Sequence, residues 1–349
     1  MGDKPAILGI DVGATGIKGT LFSPNFEIIA DLGRRPTEAD LGPEQAIAKM
    51  VAMLLEARPN WQGHRIALWG GNIPGPARYG EGRILRSPNL GPTWDNFGFT
   101  DALCVALNDA LGYSVPGTVA NDVAAAAFGE QRFGVGGGTR SVYLAAVGGG
   151  VGGGFADASG LYKGARHVCQ NHIGHVYVVD PTLPYAPLCG CGKRGHMEAF
   201  TSFTSMFLAV DNALARNAAT CLKDEWATTS NKGKSLMDAA KAGDAVARQI
   251  LEVSAHYLAI ALHNAAMEFE PDVLAVGGGV TYYEPYIGIV AREVDALFPE
   301  TWTVLREETQ VVFAQLKNNA GRVGGAALAM EKAGMPLPTS LPAATLNAD

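Results

Sequence analysis

Asp11-Val12-Gly13-Ala14-Thr15-Gly16-Ile17-Lys18 is the stretch on which the reading of this 349-residue chain turns. It follows an apolar run, Ala6 to Ile10, that reads as a buried strand, and leads into Ile17 to Phe22, which reads as a second. Gly13 and Gly16 permit a sharp reversal, so the segment is expected to be a β-hairpin with a glycine-bearing turn. Glycine also lets backbone N–H groups come close to a phosphate. Asp11 adds a carboxylate suited to Mg²⁺, Thr15 a hydroxyl and Lys18 a cation. An ordinary hairpin with a solvated lysine is the other reading of the same residues.

Working outward, apolar positions Ile47, Met50, Val51, Leu54 and Leu55 recur at helical spacing and predict an amphipathic helix. A strand at Arg65 to Trp69 runs into GGNIPGP. GTVAN ends a strand at Asn121, DVAAAAFGEQRF reads as a helix, and SVYLAAV runs into a glycine loop at Gly148 to Gly154. Asp244 to Phe269 reads as one long helix, and Val273 to Val276 as a strand entering Gly277, Gly278 and Gly279. Strand followed by glycine turn thus occurs three times, at Asp11, at Gly148-Gly149-Gly150 and at Gly277-Gly278-Gly279. Such turns suit the phosphates of a nucleotide. The Walker pattern GxxxxGK[ST] is absent, and no GxGxxG run comes with an acidic ribose partner.

The length suits two α/β domains sharing a cleft. A net charge of −7 with no basic stripe argues against a nucleic-acid partner. The start, MGDKPAILGID, has no apolar signal core, and no run reaches the ~18 apolar residues of a membrane span, so a cytoplasmic chain is expected. In that reducing setting Cys189 and Cys191 are expected to bind metal and not to form a disulfide, while Cys104, Cys169 and Cys221 look like small packing residues. Cys189-x-Cys191-x₄-His196, with His175 upstream in NHIGH, offers the two thiolates and two imidazoles of a closed, structural Zn²⁺ site. Two buried thiols with a surface histidine is the alternative.

Taken together, these segments resemble the ROK family of sugar kinases and sugar-responsive repressors, in register along nearly the whole chain. DVGATGIK resembles its first phosphate motif, IPGP at Ile73 to Pro76 its PGP loop, and SPNL at Ser87 to Leu90 its sugar-contacting segment. VANDVAAAAFGE is similar to the catalytic Asn-Asp segment, GGGVGGG to the second phosphate loop, CGCGKRGHMEAF to the zinc segment, VLAVGGGV to the adenosine loop and NNAGRVGGAALA to the closing helix. The resemblance implies a two-domain actin/hexokinase-type (ribonuclease H-like) ATPase fold and ATP-dependent phosphorylation of a hydroxyl on a hexose or sugar-like polyol. A small domain would span 1–121 plus a closing helix at 320–334, a large one 122–319, and 335–349 would be a loose tail. Closure around Asn121 and Asn319 would exclude water.

By the same resemblance Asp122 is the general base, although taken alone it reads first as a helix N-cap. Asn89, Asn121 and Glu198 would hold sugar hydroxyls, and Asp11 would organise Mg²⁺, with Lys18 and Thr15 near the phosphates. Zinc would pin the loop that carries the sugar ligands. A homodimer is implied. The family's repressors carry a helix-turn-helix before the first phosphate motif. With that motif at residue 11, no such module is expected.

Three positions depart from the family pattern. His196 stands where a third cysteine is usual, a change that Zn²⁺ tolerates. His172, beside His175 in the sugar-facing segment, replaces a carboxylate that only accepts. An imidazole can donate, accept or carry charge. The substrate is therefore expected not to be plain glucose, with an amino, deoxy or keto sugar, a cyclitol or an acidic sugar as candidates. His172 also reads as a packing residue in a chain that no longer binds sugar. Gly149 replaces a threonine, which removes a hydroxyl from the second loop and leaves open a weaker hold on ATP, another phosphoryl donor or a silent sugar-binding protein. Arg166 and His167 precede the metal segment and read as loop residues.

Overall fold

The structure, a computed structural model, describes residues 4–166, 171–301 and 303–346. His167 and Cys169, singled out above, lie outside the described residues. Five strands form the first sheet: β1 (Lys4–Val12), β2 (Ile17–Phe22), β3 (Ile28–Arg35), β4 (His64–Ile73) and, after the short pair β5 (Ala77–Arg78) and β6 (Arg83–Ile84), β7 (Gly117–Asn121). Their order is β3-β2-β1-β4-β7. The first three are antiparallel, and β4 and β7 are added in parallel. Helices α1 (Pro43–Glu56) and α2 (Phe99–Leu111) connect them, and α3 (Asp122–Phe133) follows β7 at once.

Next come β8 (Val142–Val147), β9 (Val151–Asp157) and β10 (Gly160–Leu161), then α4 (Glu198–Thr201), α5 (Phe203–Ala215), α6 (Lys232–Ala242) and α7 (Ala245–Phe269). The chain closes with β11 (Val273–Gly278), α8 (Pro285–Leu297), α9 (Thr303–Glu308), β12 (Gln310–Phe313), α10 (Ala320–Lys332) and α11 (Ala343–Leu346). The second sheet has the order β10-β9-β8-β11-β12. This is the expected actin/hexokinase-type α/β arrangement. Among the described residues no helix is long and apolar enough to cross a membrane.

The chain divides into two compact units: Met1–Val142 with Gly154–Asn171 and Gln315–Asp349, and Tyr143–Gly153 with His172–Ala314. In the first unit β1 is covered on both faces. Ala6, Leu8 and Ile10 pack with Ile47, Met50, Met53 and Leu54 of α1, while Ile7 packs with Ala124 and Phe128 of α3 and Val323 and Ala327 of α10. The α1 stripe is turned slightly from the expected one: Met53 is buried, whereas Leu55 is 37% exposed. Helix α10 lies flush on β4, since a Cβ on Gly70 would stand 1.9 Å from the Gly325 carbonyl.

Four expectations are corrected here. The first unit extends past Asn121 to Val142 because α3 shares its apolar cluster with α10. The tail is docked as far as residue 346: Leu341 is buried, and the Thr345 hydroxyl donates to the Phe26 carbonyl at 2.6 Å. Of the glycine loop at 148–154, only residues 148–150 form the turn, and Gly152 to Gly154 are strand β9. Cys221 is exposed and not a packing residue.

Candidate functional site

The sequence-predicted residues fall into two groups, one on each unit. On the first unit the β1–β2 turn closes through Gly13 N–H to Gly16 O at 2.9 Å, and the Thr37 hydroxyl holds the Gly13 carbonyl at 2.6 Å. Register places Asp11 opposite Lys18, and Lys18 opposite Arg34 of β3. Directly opposed residues share a sheet face. Burial pushes the Asp11 carboxyl up, and the Lys18 and Arg322 cations and the Asn72 amide oppose the shift. Thr15 is exposed at the turn, and Arg34 Nη2 donates to its carbonyl and hydroxyl at 3.2 Å each. Arg34 and Asn72 were not singled out from the sequence. Only the pairing of β3 beside Lys18 marks the first, and only the buried amide at the end of β4 the second.

Asp122 opens α3 immediately after β7, and Asn121 is the residue that caps the helix. The Val123 and Ala124 N–H groups donate to Asn121 Oδ1 at 3.0 and 3.1 Å. Asn121 Nδ2 donates to the Gly75 carbonyl at 3.1 Å and to Asp122 Oδ1 at 2.8 Å. Two donors and two lone pairs exhaust a primary amide, and Asn121 is fully buried. The expectation that it holds a sugar hydroxyl is therefore corrected: it orients Asp122 and the Ile73–Pro76 loop. Asp122 is half-buried, and burial is the main cause that lifts its carboxyl to about 6; the Val123 N–H bond opposes the shift and the Asp11 charge adds to it.

The Gly75 tie belongs to a wider stitching. Ser87 Oγ donates to the Pro74 carbonyl at 2.7 Å, and Ser87 N–H donates to Asp95 Oδ1 at 3.1 Å. The Ser87–Leu90 loop is thereby fixed against the Ile73–Pro76 loop, and Asn89 stands exposed on it.

On the second unit the Gly148–Gly150 turn closes through Gly148 N–H to Gly150 O at 2.8 Å. Gly149 is exposed, with open space where a Cβ would stand, and the Thr204 hydroxyl donates to its carbonyl at 2.6 Å. In the Gly277–Gly279 loop, Gly278 has φ +86°, a left-handed conformation, and a Cβ there would meet the Val147 carbonyl at 2.1 Å. Only glycine fits that position.

His175, Cys189, Cys191 and His196 offer ligand atoms that all lie within 4.8 Å of one another. Cys189 Sγ is 3.7 Å from His175 Nδ1, and Cys191 Sγ is 3.2 Å from His196 Nδ1. Zinc–ligand bonds of about 2.0–2.3 Å in a tetrahedron require separations of roughly 3.3–3.8 Å; these two pairs lie near that range, and two thiols with two imidazoles are a donor set that suits the ion. Glu198, at the start of α4, accepts from Val151 N–H at 2.8 Å and from the Cys189 thiol at 3.3 Å. It therefore lies between the second glycine loop and the cysteine cluster. His172 is exposed as a residue while its ring, 6.3 Å from that of His175, is partly desolvated, and this desolvation together with the His175 charge lowers its pKa.

Comparison with known proteins fits this arrangement. The model of the ROK family matches residues 7–332. A glucokinase of Thermotoga maritima is 28% identical over 334 residues, covering 95% of this chain and 99% of its own length. An N-acetylmannosamine kinase of Escherichia coli O157:H7 is 29% identical over 324 residues, covering 92% and 97%. Among solved structures, a ROK family glucokinase from Streptomyces griseus in complex with glucose and AMPPNP superposes with a TM-score of 0.74 at 28% identity, covering 93% of this chain and 99% of that one.

Proposed function

We infer the function from one premise: the chain belongs to the ROK family, and it is a sugar kinase that uses ATP. The observation that carries the finer reading is the Asp122 carboxyl, held by Asn121 and lifted to about 6. A base with a pKa near the working pH is ionised enough to accept a proton and basic enough to hold it. Asp122 takes the proton of the sugar hydroxyl as its oxygen bonds to the terminal phosphorus of ATP. The bond from that phosphorus to the bridging oxygen breaks, and ADP leaves.

The other residues bind and position. Gly13, Thr15 and Lys18 on the first hairpin, and Gly148, Gly149 and Gly150 on the second loop, hold phosphate oxygens, while Gly277, Gly278 and Gly279 receive the nucleotide. Asp11 would hold Mg²⁺, which neutralises phosphate charge when bound. Asn89, His172 and Glu198 take sugar hydroxyls. His175, Cys189, Cys191 and His196 would hold a structural zinc that fixes the segment from His172 to Glu198.

The imidazole at 172 favours a substrate other than plain glucose: an amino, deoxy or keto sugar, or a cyclitol. A site that pairs a substrate hydroxyl discriminates against sugars that leave that pairing unmatched. A second reading, a sugar-binding chain without turnover, is favoured by Gly149, which brings no hydroxyl to the second loop.

The test is ADP release from Mg·ATP against aldohexoses, ketohexoses, amino sugars, deoxy sugars and cyclitols. Turnover confined to one class supports the kinase and identifies that class. A folded, zinc-loaded protein that binds a sugar and releases no ADP with any of them overturns the catalytic reading in favour of the second.

A further inference from the structure

Strand β3, beside the first hairpin, carries a cation that the turn motif does not account for. Asp11, Lys18 and Arg34 form one row across β1, β2 and β3, each directly opposite the next. Like charges directly opposed on neighbouring strands repel, and one carboxylate faces two cations. Arg34 makes no ion pair among the described residues, whereas its neighbour Arg35 is paired with Glu56.

Arg34 is nevertheless held in place. Its Nη2 donates to the Thr15 carbonyl and hydroxyl at 3.2 Å each, which sets the guanidinium over the turn. Gly16 leaves the room for it: a Cβ there would stand 2.5 Å from Arg34 Nε and 2.7 Å from Cζ. Nε and Nη1 have no partner among the described residues. A fixed, exposed guanidinium beside a lysine that makes no ion pair among the described residues suits a phosphate, which a guanidinium can grip with two parallel bonds.

We propose that Arg34 is a second phosphate-binding cation that works with Lys18 to grip the phosphoryl donor. This rests on the kinase reading for the identity of the donor. Arg34 touches the donor only, so its effect belongs to donor affinity and not to the sugar.

The experiment compares wild type with Arg34→Ala, Arg34→Gln and Arg34→Lys in two measurements: KM for ATP and for the sugar, and calorimetric binding of inorganic tripolyphosphate. Arg34→Ala is expected to weaken tripolyphosphate binding and raise KM for ATP about tenfold, the size of one charge-assisted hydrogen bond. KM for the sugar should stay constant. Lysine, which keeps the charge, should recover part of the loss. Glutamine, which can keep the Thr15 contact without the charge, should recover none. Changes of less than about twofold in alanine, or full recovery by glutamine, would overturn the proposal and leave Arg34 as a turn staple. Tripolyphosphate binding that depends on Arg34, in a wild type that turns over no sugar, would remove the kinase reading and keep this one. A wild type that binds no tripolyphosphate removes the proposal.

Discussion

Asn121 Nδ2 donates to Asp122 Oδ1 at 2.8 Å while Asn121 Oδ1 receives the N–H groups of Val123 and Ala124. The two neighbours therefore divide roles that sequence alone offers to either: asparagine caps α3, and aspartate is left with a carboxylate aimed by its neighbour. The cap does not depend on a charge at 122. Asp122→Asn should thus fold normally, bind sugar with nearly wild-type affinity and lose about 10²–10⁴-fold in turnover, the usual contribution of a general base. Initial rates beside calorimetric sugar binding check this, and turnover at wild-type level would remove Asp122 from the role.

The raised carboxyl also sets a pH profile. Asp122 works as a base only when ionised, so activity should rise with pH through about 6 and level off above it. Stability should run the other way. A carboxyl whose folded pKa lies above its unfolded value of 3.8 binds more protons when folded, so its contribution is present below about 4 and is lost as pH rises through about 6. At pH 7 the buried charge costs at most about 3 kcal/mol. Asp122→Asn should therefore raise Tm at pH 7, with the gain shrinking toward pH 4. Equal Tm differences at both pH values would contradict the burial argument.

Zinc is the next test. Purified protein should carry about one zinc per chain. Cys191→Ser removes one of two thiolates at an exposed position where packing loss is small. The variant should lose the metal, and its Tm should fall by roughly 5 °C or more, since ~1 kcal/mol shifts a domain of 150–250 residues by about 2–4 °C. Metal analysis and a thermal scan report both. Metal-free wild type with an undiminished Tm would exclude a structural site.

The docked tail predicts a stability effect that involves no phosphate-loop residue. Phe26 is fully buried with φ +60°, in the left-handed region, and its carbonyl is satisfied by the Thr345 hydroxyl. Asn319, just before α10, donates to the Thr345 carbonyl at 3.2 Å. Thr345→Ala leaves the Phe26 carbonyl unpaired and should cost about 1–3 kcal/mol, read by urea titration at constant activity per folded molecule. An unchanged midpoint would show the contact to be dispensable.

What was legible in the sequence was local. The limits Ile17–Phe22, Gly117–Asn121 and Asp122–Phe133 follow from strand residues ending at a glycine turn or a helix cap, and the metal quartet follows from spacing. What escaped depends on long-range pairing. Arg34 gains meaning only because β3 lies beside β2, and the amide of Asn121 is filled only when Gly75, 46 residues earlier in the chain, takes the N–H group that its sequence neighbours leave. The tail looked loose because PLPTSLPAATLNAD has no periodicity. Its anchors are isolated residues, the buried Leu341 and the hydrogen-bonded Thr345, which leave no repeating pattern to read.

His172 is the position where the substrate class should be adjustable. It is exposed at the start of the Ile173–His175 turn, ahead of the buried Ile173, so a new side chain there meets little resistance. A glutamate would restore an acceptor-only group in place of one that can also donate. His172→Glu should then shift kcat/KM toward ordinary aldohexoses by about tenfold or more relative to the best wild-type substrate, since an unmatched polar partner is costly in a site that pairs hydroxyls. The sugar panel run on both proteins reads the change as a ratio, which cancels losses from partial misfolding. Zinc content measured on the same samples shows whether His175 still binds metal. An unchanged ranking with intact zinc would mean that residue 172 does not read the sugar, and the substrate would have to be selected from Asn89 and Glu198.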